Sequence, residues 1–446
     1  MGVRRQNNSE KASVPSLSDL LDSWVGFSKS ERKKAFSKLQ HHIAEELFLN
    51  LAAPDQAELF LTISPLEKRS WIRLLAPDDA ADLIQELPEE SRADSLSLLD
   101  VQTKTEVSAL LAYAEDDAGG LMNFRFARLR PDMSVGEAIR YLLAQTRSQV
   151  EIINYAYVLD TDQKLLGVVS LRQLFTTPPE KKAREIMQTD LITIPEDMDQ
   201  EQISQLFSQK SLMAVPVVDT IGRMKGIVTV DDIVEVVKEE ATEDIQKIGG
   251  MEALDAPYLD VNLFQMVKKR ASWLLALFIG EMFTANAMGY YEKQIERAVV
   301  LALFIPLIIS SGGNSGSQAS TLVIRAMALG EVRLRDWWRI FFREAAAGLT
   351  LGGILGIVGL MRVLLWPART HLYGEHYFLI ACTVGFSLVG IVLWGTLAGA
   401  MLPLLLKKIG VDPAAASAPF VATLVDVTGL VIYFTTASLI LGGILL

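Results

Sequence analysis

Cysteine and histidine are nearly absent from this chain of 446 residues. Cys382 is the only cysteine and lies inside an apolar run, so an intrachain disulfide and a cluster of thiolate ligands are excluded. The four histidines all lie outside the apolar runs, at His41, His42, His371 and His376. Because no nucleophile–base pair or metal-hydrolase pattern is found, a regulated membrane enzyme or receptor is only a remote alternative.

The chain also lacks a basic region of the kind that binds nucleic acid. Between Asp190 and Asp260 there are 16 acidic and 5 basic residues, and the resulting net charge of −11 equals that of the whole chain. This excess of carboxylates would repel a phosphate backbone, so we expect no nucleic-acid partner. An acidic region instead suits divalent cations, which take oxygen ligands. The first residues lack the apolar core of a signal peptide, so we expect the first 260 residues to stay in the cytosol.

The N-terminal part is expected to be helical. Residues 1–15 are polar and are predicted to be a disordered tail, and residues 16–118 follow a helical pattern with a repeat of 23 residues. PDQAELFLTISP begins at Pro54 and PDDAADLIQELP begins at Pro77, and each proline suits the first turn of a short helix. Stacked units of this kind predict an all-α superhelical domain. Three acids of the second unit are either a solvated helix start or cation contacts: Asp78, Asp79 and Asp82.

A second repeat occupies residues 119–238. YVLDTDQKLLGVVSLRQLF matches VPVVDTIGRMKGIVTVDDIV, with Asp160 and Asp219 59 positions apart. Each copy is predicted to form a strand, a polar turn, a second strand and a helix. The pattern resembles a tandem CBS pair, which implies one α/β module that often dimerises. In many proteins such a pair holds an adenine nucleotide, so ATP in the cleft and an empty dimerisation module both stay open.

An acidic segment, residues 239–262, connects this module to the apolar half. Glu240, Glu243 and Asp244 fall on one face of a helix, where like charges repel by a few tenths of a kcal/mol per pair. A cation between them would remove that cost. We therefore predict a metal-responsive connecting helix in preference to a solvated acidic face.

Five apolar runs within residues 263–446 are each long enough to cross a bilayer. They cover about 271–291, 298–324, 345–366, 377–406 and 413–446. Ten Lys and Arg residues flank the runs on one side and four on the other, which predicts a cytosolic N-terminus and an outside C-terminus in the cell (inner) membrane. The predicted fold is multidomain, with an all-α superhelical N domain, an α/β tandem CBS domain and an α-helical membrane domain of five transmembrane helices.

One carboxylate stands out in the last run. Asp426 is the only charged residue in the 34 positions from Pro413 to Leu446. A charged group at the middle of a bilayer costs about 3 kcal/mol even on the lenient insertion scale, and such residues are usually functional. A bound cation is therefore favoured over pairing with a buried arginine or hydrogen bonding inside a helix bundle.

The second run carries PLIISSGGNSGSQAS, residues 306–320. Gly312 and Gly316 have the spacing of close helix packing, whereas a broken helix would let its carbonyls and Asn314 face a pore. Both interpretations are kept. Glu281, in the middle of the first run, is ranked below Asp426. Two acids at the outer end of that run either concentrate cations or are solvated: Glu292 and Glu296.

The order of these segments, with GGNSGSQAST and VATLVDVTGLVIYF, resembles the MgtE family of magnesium channels along essentially the whole chain. The resemblance implies a membrane-embedded homodimer with a pore on its twofold axis. It implies that Asp426 of each subunit holds hydrated Mg²⁺, with help from the Ala422 carbonyl and the Asn314 amide. Glu292 and Glu296 match the acids of the family's pore mouth.

The same resemblance implies that cytosolic Mg²⁺ closes the pore by bridging the helical domain, the CBS pair and the connecting helix. The matching residues are Asp79, Asp199, Glu201, Asp232, Glu235, Glu240, Glu243 and Asp244. Mg²⁺ influx is thus the predicted function. A broader transporter of Co²⁺, Ni²⁺ or Mn²⁺ is the alternative, although no His or Cys near Asp426 offers these ions a softer ligand.

Overall fold

The computed structural model describes residues 17–24, 26–145, 152–254, 256, 258–259 and 261–445. The predicted disordered tail, residues 1–15, lies outside this part of the chain. The chain divides into two compact units, Met1–Val237 and Lys238–Leu446, which are described separately.

The first unit begins with short helices. They are α1 (Leu17–Trp24), α2 (Lys29–Phe36), α3 (His41–Leu49), α4 (Ala53–Thr62), α5 (Pro65–Ile72), α6 (Pro77–Glu86), α7 (Glu89–Leu98), α8 (Val101–Leu110) and α9 (Ala118–Leu121). The 23-residue repeat corresponds to the pairs α4–α5 and α6–α7. Pro54 lies in the first turn of α4 and Pro77 begins α6, where a missing N–H leaves no helical bond unmade. The predicted helical repeat is confirmed.

Two similar three-stranded sheets follow. The strands are β1 (Phe126–Leu129), β2 (Ile152–Leu159), β3 (Leu165–Ser170), β4 (Ile194–Pro195), β5 (Ala214–Val218) and β6 (Met224–Thr229), and the helices are α10 (Val135–Gln145), α11 (Leu171–Thr176), α12 (Ala183–Ile186), α13 (Gln200–Lys210) and α14 (Val230–Ile248). In each sheet the first two strands are parallel and the last two antiparallel. Val158 pairs with Gly167 and Val217 with Gly226, so the two copies share one register. The α/β repeat of strand, turn, strand and helix is confirmed.

The helical part and the second sheet share one hydrophobic core. Phe60 of α4 and Ile84 of α6 are fully buried in the same cluster as Val217 of β5 and Val228 of β6. The Asn123 side chain donates to Asp78 Oδ1 at 3.2 Å and links the segment before β1 to α6. The acids of α6 are therefore held in a fixed position relative to the beginning of α14.

The second unit contains α15 (Leu263–Tyr290), α16 (Glu292–Arg297), α17 (Ile305–Ala328), α18 (Trp337–Leu364), α19 (Arg369–Tyr373), α20 (Tyr377–Lys408) and α21 (Ala418–Leu441). Short 3₁₀ turns precede α17, α18 and α21. Five helices of this unit, α15, α17, α18, α20 and α21, are long and apolar enough to cross a membrane. The helix α18 starts eight residues before the predicted run because its first turns, WWRIFFRE, are helical but amphipathic.

The glycine-rich segment 306–320 lies within the continuous helix α17, so the expectation of a broken helix is wrong. Its glycines instead allow close helix packing, which confirms the other interpretation. A Cβ added at Gly316 would lie 2.9 Å from the Gly395 carbonyl oxygen of α20, and one added at Gly399 would collide with the Gly316 carbonyl. The two helices therefore touch backbone to backbone.

Candidate functional site

Asp426 lies on α21 where this helix meets α17, and its side chain is half-buried. A Cβ added at Gly313 would stand 3.4 Å from Ala422 Cβ and 3.5 Å from Asp426 Oδ1. The missing side chain of Gly313 thus leaves the carboxylate directly against the backbone of α17. Among the described residues, no salt bridge joins Asp426 to a basic side chain.

Hydroxyl groups of α17 fix the beginning of α21. Ser317 donates to the Ala418 carbonyl at 2.9 Å, and Ser320 donates to the Ala416 carbonyl at 2.7 Å. Ser417 caps α21, and its hydroxyl lies 3.2 Å from Trp273 Nε1 of α15. Three membrane helices are therefore tied together about two turns before Asp426, which sets the depth of the carboxylate.

The remaining predicted residues of the membrane part lie at different places. Ala422 is one turn before Asp426 on α21, and Asn314 follows Gly313 on α17 with its side chain exposed. The Asn314 amide donates to Ser310 Oγ at 3.3 Å. Glu292 and Glu296 are both exposed on the short helix α16, at the far end of α15 from its basic residues. The structure brings Ala422, Gly313 and Asp426 together and leaves these two acids apart from them.

Glu281 contributes more to the surroundings of Asp426 than its sequence position indicated. It lies on α15, next to Gly280, whose added Cβ would stand 2.9 Å from Thr423 of α21. The Glu281 carboxylate is close enough to Asp426 for the two charges to interact. No local sequence pattern signals this approach, because the contact is between α15 and α21 and not within one helix.

A second group of acids lies in the first unit, where α6 faces the start of α14. Burial is the main cause that raises the pKa of Asp82 well above its ordinary value, and four nearby carboxylates add to it. They are Asp79, Asp232, Glu115 and Glu235. The resemblance had placed Asp79, Asp232 and Glu235 here, and the sequence had left Asp82 open between a solvated helix start and a cation contact. A cation would be attracted to such a concentration of negative charge.

Asp232 has a structural role in addition to its charge. Its Oδ2 accepts from the Thr229 hydroxyl at 2.7 Å and from the Thr229 backbone N–H at 3.3 Å, which secures the first turn of α14. Burial raises the pKa of Asp232 to about 7, and the charges of Asp231 and Asp79 act in the same direction. The hydrogen bonds from Thr229 oppose the rise without cancelling it.

The other predicted regulatory acids are more dispersed. Asp199 caps α13 by accepting from the Glu201 backbone N–H at 3.0 Å, and both side chains are exposed. Asp199 also forms a backbone bridge with Asp117 beside α9. In the described part of the chain, no three His, Cys, Asp or Glu side chains are arranged to hold a metal ion together.

In the second unit, the end of α14 carries Glu240, Glu243 and Asp244. Lys247 pairs with Glu243 one turn earlier and with Asp412 Oδ2 at 2.6 Å. Burial alone would lower the pKa of Lys247, but these two carboxylates outweigh it and raise the pKa. Asp412 in turn accepts from the Ala414 N–H in the turn before α21, so the acidic helix is linked to the helix that carries Asp426.

Gly249 and Gly250 directly follow the end of α14. Gly250 has a φ of +74°, and a Cβ added there would stand 2.9 Å from the Trp273 ring and 3.1 Å from Pro419. The same residue thus allows both the turn and the close approach of α15 and α21. The acidic helix, α15 and α21 meet at this point.

Family models match three parts of the chain. The model of the MgtE intracellular N domain matches residues 16–116, the CBS domain model matches 118–179 and 183–239, and the MgtE divalent cation transporter model matches 305–436. A protein named magnesium transporter MgtE from Thermus thermophilus is 41% identical over 347 residues, which are 78% of this chain and 75% of that protein. The chain belongs to the MgtE family of divalent cation transporters.

Other members of the MgtE family are also similar. The magnesium transporter MgtE of Enterococcus faecalis is 32% identical over 75% of this chain and 71% of its own length. A solved structure, the cytosolic domain of the Mg²⁺ channel MgtE in complex with ATP, is 36% identical, covers 50% of this chain and 90% of that chain, and has a TM-score of 0.46. The predicted family and fold class are confirmed, and this family member is a multi-pass membrane protein and not an enzyme.

Proposed function

We propose that this MgtE-family protein is a Mg²⁺ channel that lets the ion enter the cell and is closed by cytosolic Mg²⁺. The relatives from Thermus thermophilus and Enterococcus faecalis are both named magnesium transporters. The observation that carries the proposal is the position of Asp426, half-buried within a membrane-length helix and directly against Gly313. A carboxylate retained at that depth is explained by a cation that binds it.

The proposed pore lies on the twofold axis of a homodimer. Two Asp426 carboxylates would face one another across the axis and hold Mg²⁺ through retained water, because this ion loses its hydration shell reluctantly. The Ala422 carbonyl, one turn before Asp426, and the exposed Asn314 amide of α17 would contact those waters. Glu292 and Glu296 of each subunit would attract cations at the pore mouth. The repulsion between the paired carboxylates is relieved more by a divalent than by a monovalent ion.

Closure by cytosolic Mg²⁺ is proposed for the acids of both units. In the first unit, Asp79, Asp82, Asp232 and Glu235 concentrate charge between α6 and α14, and Asp199 and Glu201 add further carboxylates near α9. In the second, Glu240, Glu243 and Asp244 lie at the end of α14, which Lys247 links to the turn before α21. Ions that neutralise these acids would hold α14 in one position, and through Lys247 and Asp412 that position acts on α21. ATP in the CBS cleft stays a prediction beside this proposal.

The orientation is part of the proposal. Lys268, Lys269 and Arg270 precede the apolar part of α15, and the turn between α17 and α18 is rich in arginine. By the positive-inside rule we place these ends on the cytosolic side of the cell membrane, with the C-terminus outside. Protease accessibility in right-side-out vesicles, at the α16 segment and at the turn after α14, tests it directly.

Mg²⁺ flux into liposomes that contain the whole protein tests the pore. Asp426→Asn keeps the shape of the side chain and removes its charge. Even at the dielectric constant of water, a divalent ion about 5 Å from a carboxylate gains about 1.7 kcal/mol, so two carboxylates contribute about 3 kcal/mol, or about 100-fold in site occupancy. Weaker binding lowers the occupancy of the site but also speeds the exit of the ion. The loss of flux should therefore be smaller than the loss of occupancy, and we expect at least a tenfold lower flux.

The matched control is Glu375→Gln, which removes one carboxylate from the turn between α19 and α20. It should conduct as the unchanged protein does. Wild-type flux through Asp426→Asn would contradict the pore assignment. Competition by Co²⁺, Ni²⁺ and Mn²⁺ in the same assay distinguishes a magnesium channel from a broader divalent transporter.

A further inference from the structure

A pocket of about 400 Å³ lies at the turn between α17 and α18, away from Asp426. Its apolar wall contains Leu322 and Val323 of α17 and Ile340 of α18. Its charged wall is formed by three arginines and three acids: Arg325, Arg339, Arg343, Glu331, Asp336 and Glu344. This pocket takes no part in the proposed conduction or in the acidic sites described above.

The arginines of this pocket form no salt bridges with its acids in the part of the chain that the structure describes. In the described residues, no salt bridge within 4.0 Å joins any of the three arginines to a carboxylate. Arg339 and Arg343 are one turn apart on α18, so their guanidinium groups can approach the same anion. Asp336 Oδ2 accepts from the Arg333 backbone N–H at 3.0 Å, whereas no salt bridge or hydrogen bond engages the carboxylates of Glu331 and Glu344 in the described part of the chain. Equal numbers of both signs therefore face one cavity.

The surroundings of the pocket are those of a membrane surface. It lies where two membrane-length helices end and begin, and Arg325 is in the last turn of α17. Trp338 and Phe342, on the first two turns of α18, are 66% and 67% exposed, and Leu322 is 63% exposed. Exposed aromatic residues at the ends of spans are typical of the headgroup region of a bilayer. An occupant with an apolar tail would cover Leu322 and keep its polar head among the charges.

We propose that this pocket binds the headgroup of a phospholipid that carries a phosphate and a primary ammonium, as phosphatidylethanolamine does. The planar guanidinium groups of Arg339 and Arg343, with Arg325, suit the phosphate oxygens. Glu331 and Glu344 would accept the N–H groups of the ammonium. A purely anionic headgroup would leave these carboxylates uncompensated, and a quaternary ammonium has no N–H to donate. The proposal depends on the membrane location of these helices and not on the ion that passes through them.

Lipid binding to the whole protein, delipidated in detergent and measured by native mass spectrometry, tests the proposal. Phosphatidylethanolamine, phosphatidylcholine and phosphatidylglycerol with identical acyl chains are titrated separately. We expect phosphatidylethanolamine to bind most tightly. The double variant Arg339→Gln/Arg343→Gln should bind it about 25-fold more weakly, since each basic residue near a lipid phosphate contributes about a factor of five.

The control is Arg333→Gln/Arg335→Gln, which removes the same charge from the same turn outside the pocket, and its affinity should change less than about threefold. Glu331→Gln/Glu344→Gln should abolish the preference for phosphatidylethanolamine over phosphatidylcholine. Glycerophosphoethanolamine, the headgroup without acyl chains, should compete at least tenfold more weakly than the lipid.

Equal weakening in the pocket and control doubles, or equal binding of the three lipids to the unchanged protein, would overturn the proposal. Equal affinity for glycerophosphoethanolamine and the lipid would show a soluble phosphate ligand instead. If Arg339→Gln/Arg343→Gln does not fold, Arg339→Lys/Arg343→Lys keeps the charge and removes the paired guanidinium contacts. We expect a loss of about threefold to fivefold for that variant, and unchanged affinity would also overturn the assignment.

Discussion

The carboxylate of Asp232 is expected to weaken the start of α14 when no divalent ion is present. Its pKa rises from the ordinary 3.8 to about 7, mainly through burial. Three pKa units correspond to about 4 kcal/mol at most, and partial exposure of the side chain to solvent reduces this to about 1–2 kcal/mol. Because the folded-state pKa is the higher one, the local stability of this turn should fall as pH rises from about 4 to about 7.

Asp232→Asn separates the charge from the hydrogen bonds, because the amide oxygen of asparagine can accept from the Thr229 N–H and hydroxyl as the carboxylate does. Hydrogen exchange of the amides in residues 229–236 should be measured on the whole protein at pH 7.5. Without Mg²⁺, we expect exchange in the variant to be about 5–30-fold slower than in the unchanged protein, which corresponds to about 1–2 kcal/mol. Addition of 10 mM Mg²⁺ should slow exchange strongly in the unchanged protein and only weakly in the variant.

Asp219→Asn serves as the matched control in the turn between β5 and β6. Burial would raise the pKa of Asp219, but hydrogen bonds from the Arg223 and Ile221 N–H groups lower it below its ordinary value. Removal of that charge should therefore speed local exchange, independently of Mg²⁺. Faster exchange in Asp232→Asn without Mg²⁺, or no effect of Mg²⁺ on the unchanged protein, would refute the argument.

Three further changes have defined outcomes. Gly399→Ala would force α17 and α20 apart and should lower the yield of folded protein in fluorescence-detected chromatography, whereas Gly353→Ala, which meets nothing within 4 Å, should not. Lys247→Ala breaks the pair with Asp412; since partly exposed pairs contribute up to about 1 kcal/mol, the Mg²⁺ concentration that halves liposome flux should rise about twofold to fivefold. Asp82→Asn should abolish most of the loss of protection in α6 that accompanies a rise in pH above about 4, because burial raises the pKa of the native carboxyl above its ordinary value and its loss of a proton destabilises the helix.

For each of these three variants, one outcome would contradict the prediction. Normal yield of Gly399→Ala would show that the two helices can separate without cost. An unchanged flux response in Lys247→Ala would remove the link between the acidic helix and the pore. A pH dependence that persists in Asp82→Asn would place the titrating group elsewhere in the first unit.

Local patterns predicted much of this fold. Pro54 and Pro77 identified the helical repeat because a proline in the first helical turn is a purely local preference. The second repeat was equally visible, since Asp160 and Asp219 each bind the backbone of their own turn. The five apolar helices followed from length and hydropathy alone. Asp426 was conspicuous because it is the one charge in its helix.

Contacts between distant segments were not predictable in the same way. The pairing of Lys247 with Asp412 joins residues 165 positions apart, and nothing in either local pattern indicates the other. The glycines of α17 suggested a broken helix because glycine is a poor helix former. Their neighbours on α20, Gly395 and Gly399, decided the outcome, since the facing backbone carbonyls occupy the space that side chains would need.

The backbone contact between α17 and α20 restricts how the proposed pore beside Asp426 could widen. Where Gly316 faces Gly395 and Gly399, the two backbones touch with no side chain between them, so α17 and α20 should move as one rigid block. A change in pore width would then come from α21 and α15, which the Trp273–Ser417 contact joins to one another. The start of α21 meets the block where Ser317 and Ser320 donate to backbone carbonyls. Opening would then be a rotation of α21 relative to α17 and α20, with the hinge at the cap of α21.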